Sequence, residues 1–199
     1  MGKTIKLYSA FFLILLISGC NRGQVSEKLP GSNITSPEKS EDLSLFFQAA
    51  LEGNTETVRS YIEGGTNVNL TDEENRTALM YASFNGNQAI VSFLIENGAN
   101  VNMFDVNKKT ALIMAASGPY AETVRLLLEN KADPNFTDLP ENFTALMYAA
   151  SEGQLEVVKV LLEYKADPSM KDVDGDNALT FAFNNGHTAV AELLKMVTK

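Results

Sequence analysis

The stretch Thr-Ala-Leu-Met-Tyr-Ala runs from Thr77 to Ala82 and again from Thr144 to Ala149, and Thr-Ala-Leu-Ile-Met-Ala stands between them from Thr110 to Ala115. Alignment on the closing alanine gives Ala49, Ala82, Ala115, Ala149 and Ala182, in steps of 33, 33, 34 and 33 residues. A period of this length restricts the chain to an array of one supersecondary unit, because a unit so small buries its apolar face only when a neighbour stacks on it. Five copies are expected.

Each copy reads as two short helices. Four residues past the alanine stand Gly53, Gly86, Gly153 and Gly186, with Gly118 and Pro119 at that point in the third copy, and these mark a turn. Beyond it come Val58, Val91, Val124, Val158 and Ala191. Leu94, Leu127 and Leu161 lie three residues after the middle three valines, so both sets share one face of a second helix. Gly65 and Gly98 supply stop signals, since glycine takes the left-handed conformation at a helix end without steric penalty. Thr77, Thr110 and Thr144 suit the opening of the next helix, where a hydroxyl accepts from free backbone amides.

The pattern resembles the ankyrin repeat, whose units carry Thr-Pro-Leu-His at the first helix, Gly-His at the turn and Gly-Ala-Asp at the end. The likeness runs from about Asp42 to Lys199. It implies an all-α ankyrin-repeat solenoid of about five helix-turn-helix repeats with short hairpin loops, at about 42–74, 75–107, 108–141, 142–174 and 175–199. The consensus proline is Ala78, Ala111, Ala145 and Ala178 here, and the consensus histidine is Met80, Ile113, Met147 and Thr180. Loss of that histidine removes a polar network near the turns.

Two departures are sharper. The helix-ending glycine is Lys131 in the third copy and Lys165 in the fourth, where a left-handed side chain costs roughly 1 to 2 kcal/mol. The one-residue insertion falls between Asn135 and Thr144, so the loop with Leu139, Pro140 and Glu141 is expected to be longer than its neighbours. The first copy lacks the threonine motif and the last stops in a helix, as caps do.

Residues 1–19 are a segment of another kind. Lys3 and Lys6 precede an apolar run from Leu7 to Gly19, too short for a permanent span and patterned like a secretory leader. Cys20, the one cysteine, follows Ile17, Ser18 and Gly19 and looks like the acceptor of a bacterial lipoprotein signal. That resemblance implies acylation of Cys20 and lasting membrane attachment. An ordinary leader with an incidental cysteine is the alternative. Residues 20–40 then form a tether with a reach of roughly 25 Å, ahead of an array over 41–199. Asn21 is not the aspartate that retains such proteins in the inner membrane, so the outer membrane, facing the periplasm, is favoured.

The formal net charge is −9, and it becomes −11 once Lys3 and Lys6 leave with the leader. No general attraction to nucleic acid or anionic headgroups is expected. The acids gather partly between the repeats, at Asp72, Glu73 and Glu74, at Asp138 and Glu141, and at Asp172, Asp174 and Asp176. A basic partner surface and plain solubility both account for them.

Catalytic chemistry is hard to place. His187 is the one histidine and stands where the family's turn histidine would, which assigns it to structure. The run from Asp172 to Asn177 has its glycine at the fourth position, and Phe183 stands where a calcium loop needs its bidentate acid. No enzyme activity, cofactor or metal is expected.

The family resemblance implies binding of another protein on a concave side made of loop tips and first helices. Large apolar groups near such tips are candidate anchors, here Leu51 and Phe84. The row Gln48, Tyr81, Met114, Tyr148 and Phe181 serves either as a binding stripe or as packing between helices. Glu73, Glu74 and Leu139 complete the candidate contact set. A monomeric, membrane-tethered adaptor follows as the expectation. An inhibitor or immunity protein against a toxic enzyme, or an assembly partner of a periplasmic enzyme, are narrower forms of it.

Overall fold

The computed structural model describes residues 41–198. The leader, Cys20 and the tether lie outside the described residues. Ten helices follow in chain order: α1 Glu41–Glu52, α2 Thr55–Glu63, α3 Ala78–Phe84, α4 Gln88–Glu96, α5 Ala111–Ala116, α6 Ala121–Glu129, α7 Ala145–Ser151, α8 Leu155–Glu163, α9 Ala178–Asn184 and α10 Thr188–Val197. No strand is present among the described residues beyond isolated bridges, so the all-α solenoid of five helix pairs is what the chain forms. Odd-numbered helices stack in one layer and even-numbered helices in a second, each pair covering the next. Among the described residues, no helix is long and apolar enough to cross a membrane.

The core is the registered stripe. Leu79, Leu112 and Leu146 of the first helices and Val91, Leu94, Val124, Leu127, Val158 and Leu161 of the second helices are all buried. Full burial of such a side chain contributes about 1.5 to 3 kcal/mol each. The residue after each register alanine is Ala50, Ser83, Ala116 and Ala150 in the first four copies, all fully buried. Small side chains there let adjacent first helices come close. In the last copy the same position is Phe183, which is 76% exposed because, among the described residues, no further first helix stacks on α9.

Local signals act as read from the sequence. The Thr77, Thr110 and Thr144 side chains each accept from a backbone amide three residues on, at 3.3 Å, and Asn177 does the same for Thr180 at 3.1 Å. Such a cap is worth about 1 kcal/mol. The polar network is not wholly lost with the histidine. The Thr77 and Thr144 amides donate to the sulfurs of Met80 and Met147 at 3.4 Å, a weak acceptor in the place of a strong one. Lys131 and Lys165 both adopt φ 68°, in the left-handed region that Gly65 and Gly98 occupy at φ 91° and 88°.

Neighbouring repeats are joined by polar clamps as well as by packing. Asn87 Nδ2 donates to the carbonyls of Ala50 and Leu51 at 2.9 Å, and the Asn85 amide also reaches Leu51. In the last joint, Asn185 Nδ2 donates to Ser151 O, and His187 Nε2 lies 2.9 Å from the same carbonyl. His187 is thus a clamp between repeats, as its position in the sequence suggests. In the third copy Tyr120 fills the same place, its ring laid so closely on Gly86 and Gly118 that a methyl group at either would overlap it.

Candidate fingertip interface

The segments that join one repeat to the next are hairpin fingers, and each is built on an aspartate. Asp72, Asp105 and Asp172 accept through Oδ1 from two main-chain amides of their own turn, at 2.8 to 3.0 Å. The amides of Asn75, Lys108 and Gly175 return to the aspartate carbonyls, and those three residues have φ 61°, 57° and 86°. A carboxylate that gathers amide donors closes a tight turn without a long hairpin. The third finger is longer by one residue. Asp138 Oδ1 accepts from Phe143 N at 2.8 Å, across five residues rather than four.

Main-chain bonds stitch the tips into one row. Val106 N–H donates to Glu74 O at 3.0 Å, Leu139 N–H to Asn107 O at 2.8 Å, and Val173 N–H to Glu141 O at 3.1 Å. This repeating register makes Glu73, Val106, Leu139 and Val173 equivalent, and likewise the acceptors Glu74, Asn107 and Glu141. The inserted residue is therefore Pro140, which follows a cis peptide bond. Val106, Leu139 and Val173 are 61%, 44% and 55% exposed, three aliphatic side chains in line on adjacent tips. At their foot, Phe104 stacks on Phe136 with ring centroids 5.7 Å apart.

Tyrosines from the first helices support two of the fingers. Tyr81 OH donates to Asp72 Oδ2 at 2.6 Å, and Tyr148 OH donates to Asp138 Oδ2 at 2.7 Å. Burial and the carboxylate partner push both phenols well above their ordinary range. The two aspartates differ. Burial raises the pKa of both, but at Asp72 the hydrogen bonds from Tyr81 and from the backbone and side chain of Arg76 outweigh it and hold the carboxyl below its usual value. At Asp138 burial prevails over the bonds from Tyr148 and Phe143, and the carboxyl is raised. Two differences account for this: Asp138 is buried where Asp72 is only half-buried, and Arg76 forms an ion pair with Asp72 at 2.9 Å, whereas the residue before Thr144 is the apolar Phe143 and Asp138 has only the charge of Lys109 nearby.

The sequence candidates divide accordingly. Leu139, Glu73 and Glu74 lie exposed on the row of tips. Tyr81 and Tyr148 are half-buried beneath it, and their row packs inward at Met114 and Phe181, which are buried. Leu51 and Phe84 do not stand out as the exposed anchors expected of them. Both are half-buried, and Phe84 packs against the core at the last turn of α3, away from the finger that precedes that helix. Val106 and Val173 were missed, although their signal was present: each directly follows a finger aspartate at the same repeat spacing as Leu139. Among the described residues, no group of three or more His, Cys, Asp or Glu side chains is placed to hold a metal ion.

A family profile described as ankyrin repeats, three copies, matches residues 46–138 and 120–198, which together run from within α1 to the end of α10. The chain belongs to the ankyrin-repeat family. No curated protein matches the chain significantly. Ankyrin repeats form a protein-interaction fold that is typically non-catalytic, so this array is a protein–protein interaction module. The tyrosines tie the stitched tips to the first-helix layer.

Proposed function

We propose that this protein is a membrane-tethered adaptor of the bacterial envelope, in which a lipid on Cys20 and the tether to residue 40 display the ankyrin stack to a protein partner. The leader pattern that ends at Cys20 supports the anchoring, and Asn21 supports an outer-membrane position facing the periplasm. The adaptor is non-catalytic and acts as a monomer. The single observation that carries the binding reading is the stitched row of exposed tips at Val106, Leu139 and Val173, because aliphatic side chains grouped on the surface mark an area that a partner can bury. Glu73 and Glu74 extend the footprint along the row, and Tyr81 and Tyr148 hold its fingers in place. Leu51 and Phe84 fall outside this footprint.

Two measurements test the reading. Cells that express the full chain and are fed an alkyne-bearing fatty acid should label the wild type and leave Cys20→Ala unlabelled. Equal labelling of both removes the anchor. Partner capture from envelope extract, compared between wild type and a Val106→Ser, Leu139→Ser, Val173→Ser variant, should lose its main species in the variant. Equal recovery removes the fingertip footprint.

A further inference from the structure

The chemistry of the tips also restricts what they hold. The amides of the three aliphatic tips are committed within the row: Val106 N–H to Glu74 O, Leu139 N–H to Asn107 O, and Val173 N–H to Glu141 O. At these three tips a partner segment meets side chains, because their amides are already used. Around the three aliphatic tips the charge is arranged in order along the row. Glu73 stands at the first tip, Lys108 at the turn of the second, Glu141 on the third and Asp174 on the fourth, all exposed. Glu74 is already paired with Arg76 at 2.7 Å, whereas the Glu73 and Glu141 carboxylates make no ion pair among the described residues.

Exposed acids alone would signify little on a chain of net charge −9. Here they flank an apolar strip, so a partner that buries the strip must bring its own charges beside them. Like charges placed there would be left facing each other as water is excluded, and opposite charges would be attracted. The cost selects the partner.

On the fingertip reading above, we infer that the occupant is a segment of a second protein that presents aliphatic side chains to Val106, Leu139 and Val173 and basic side chains to Glu73, Glu141 and Asp174. It carries no basic residue opposite Lys108. The aliphatic groups supply affinity through burial, and the basic groups supply orientation and a salt-sensitive association rate.

The probe is a labelled peptide of alternating leucine and lysine, titrated by fluorescence anisotropy against the full chain in a nonionic detergent, with leucine–glutamate and serine–lysine peptides as controls. The leucine–lysine peptide should bind, weaken with added salt, and lose affinity on the order of tenfold both in Val106→Ser, Leu139→Ser, Val173→Ser and in Glu73→Gln, Glu141→Gln, Asp174→Asn. Circular dichroism confirms that both variants keep the helical fold. Equal or tighter binding of the leucine–glutamate peptide, with the same dependence on the three aliphatic tips, overturns the basic occupant and leaves the fingertip site standing. Leucine–lysine binding that survives the aliphatic substitutions, or that the serine–lysine peptide matches, overturns the inference and the footprint together. So does the failure of every peptide to bind when partner capture is also unaffected by the aliphatic substitutions. Failure of every peptide where capture does depend on those residues overturns the basic occupant alone.

Discussion

Tyr148 OH donates to the buried Asp138 carboxylate at 2.7 Å, and the residue that follows Asp138 is the exposed tip Leu139. One hydrogen bond thus links a first helix, through a finger turn, to the surface proposed for partner binding. Its counterpart, Tyr81 to Asp72, shares its carboxylate with the Arg76 guanidinium.

The two tyrosines should therefore differ on removal of the hydroxyl. Tyr148→Phe takes one donor from a buried carboxylate that has no cation in Arg76's place, at a cost of about 1 to 3 kcal/mol. Tyr81→Phe leaves Asp72 with its arginine and should cost less. Urea unfolding followed by circular dichroism checks the order, and equal losses would show that the arginine does not substitute for the phenol.

The same contrast sets opposite pH dependences. Asp72 is held below its ordinary pKa, so its contribution is present at neutral pH and is lost as pH falls through its folded pKa. Asp138 is raised, so its contribution is full below the unfolded value and is lost as pH rises through the folded one. Asp72→Asn should become more costly from pH 3 to pH 7, and Asp138→Asn less costly, around the ordinary carboxylate pKa of about 3.9. Thermal melts of the two variants against wild type across that range give the two slopes, and slopes of the same sign would contradict the assignment.

Lys131 and Lys165 hold left-handed backbone at φ 68° with a side chain attached. Lys131→Gly or Lys165→Gly removes that steric cost and should stabilise by about 1 kcal/mol, somewhat reduced by the greater freedom of glycine in the unfolded chain. The midpoint of a denaturant titration should move upward at either site.

The joint between the second and third repeats rests on Tyr120 against Gly86. Gly86→Ala should cost about 1 to 3 kcal/mol, because the new methyl meets the ring and the backbone there is at φ 65°. In the double variant with Tyr120→Ala the steric part should disappear, so the two losses add to more than the measured total. Strict additivity would place the cost in the backbone alone.

Phe183 is large, apolar and 76% exposed. Phe183→Ser should change stability by less than about 0.5 kcal/mol, whereas Ala150→Phe, at the matching buried position, should be severely destabilising. Thermal melts of the two variants compare them directly.

Much of the fold was legible because it is periodic. The alanine register, the threonine caps, the valine and leucine stripe and the left-handed lysines each depend on a residue and its near neighbours, and such relations survive in one dimension. The site was legible only where composition was unusual. Leu139 drew attention through the inserted loop and Glu73 and Glu74 through their charge, while Val106 and Val173 look ordinary until the tips are seen bonded in line. Leu51 and Phe84 went the other way, since the burial of a helix end depends on what lies against it.

By itself, then, the sequence determined a stack of five helix pairs and the residues that register them. Tertiary structure alone decided which side chains remain outside. It joins fingers about 33 residues apart into one row, leaves Phe183 bare where four smaller counterparts are covered, and sets Asp72 and Asp138 on opposite sides of their ordinary pKa. Exposure and desolvation are sums over everything nearby in space, and a repeat of residues names its neighbours along the chain but not those contributed by the next copy.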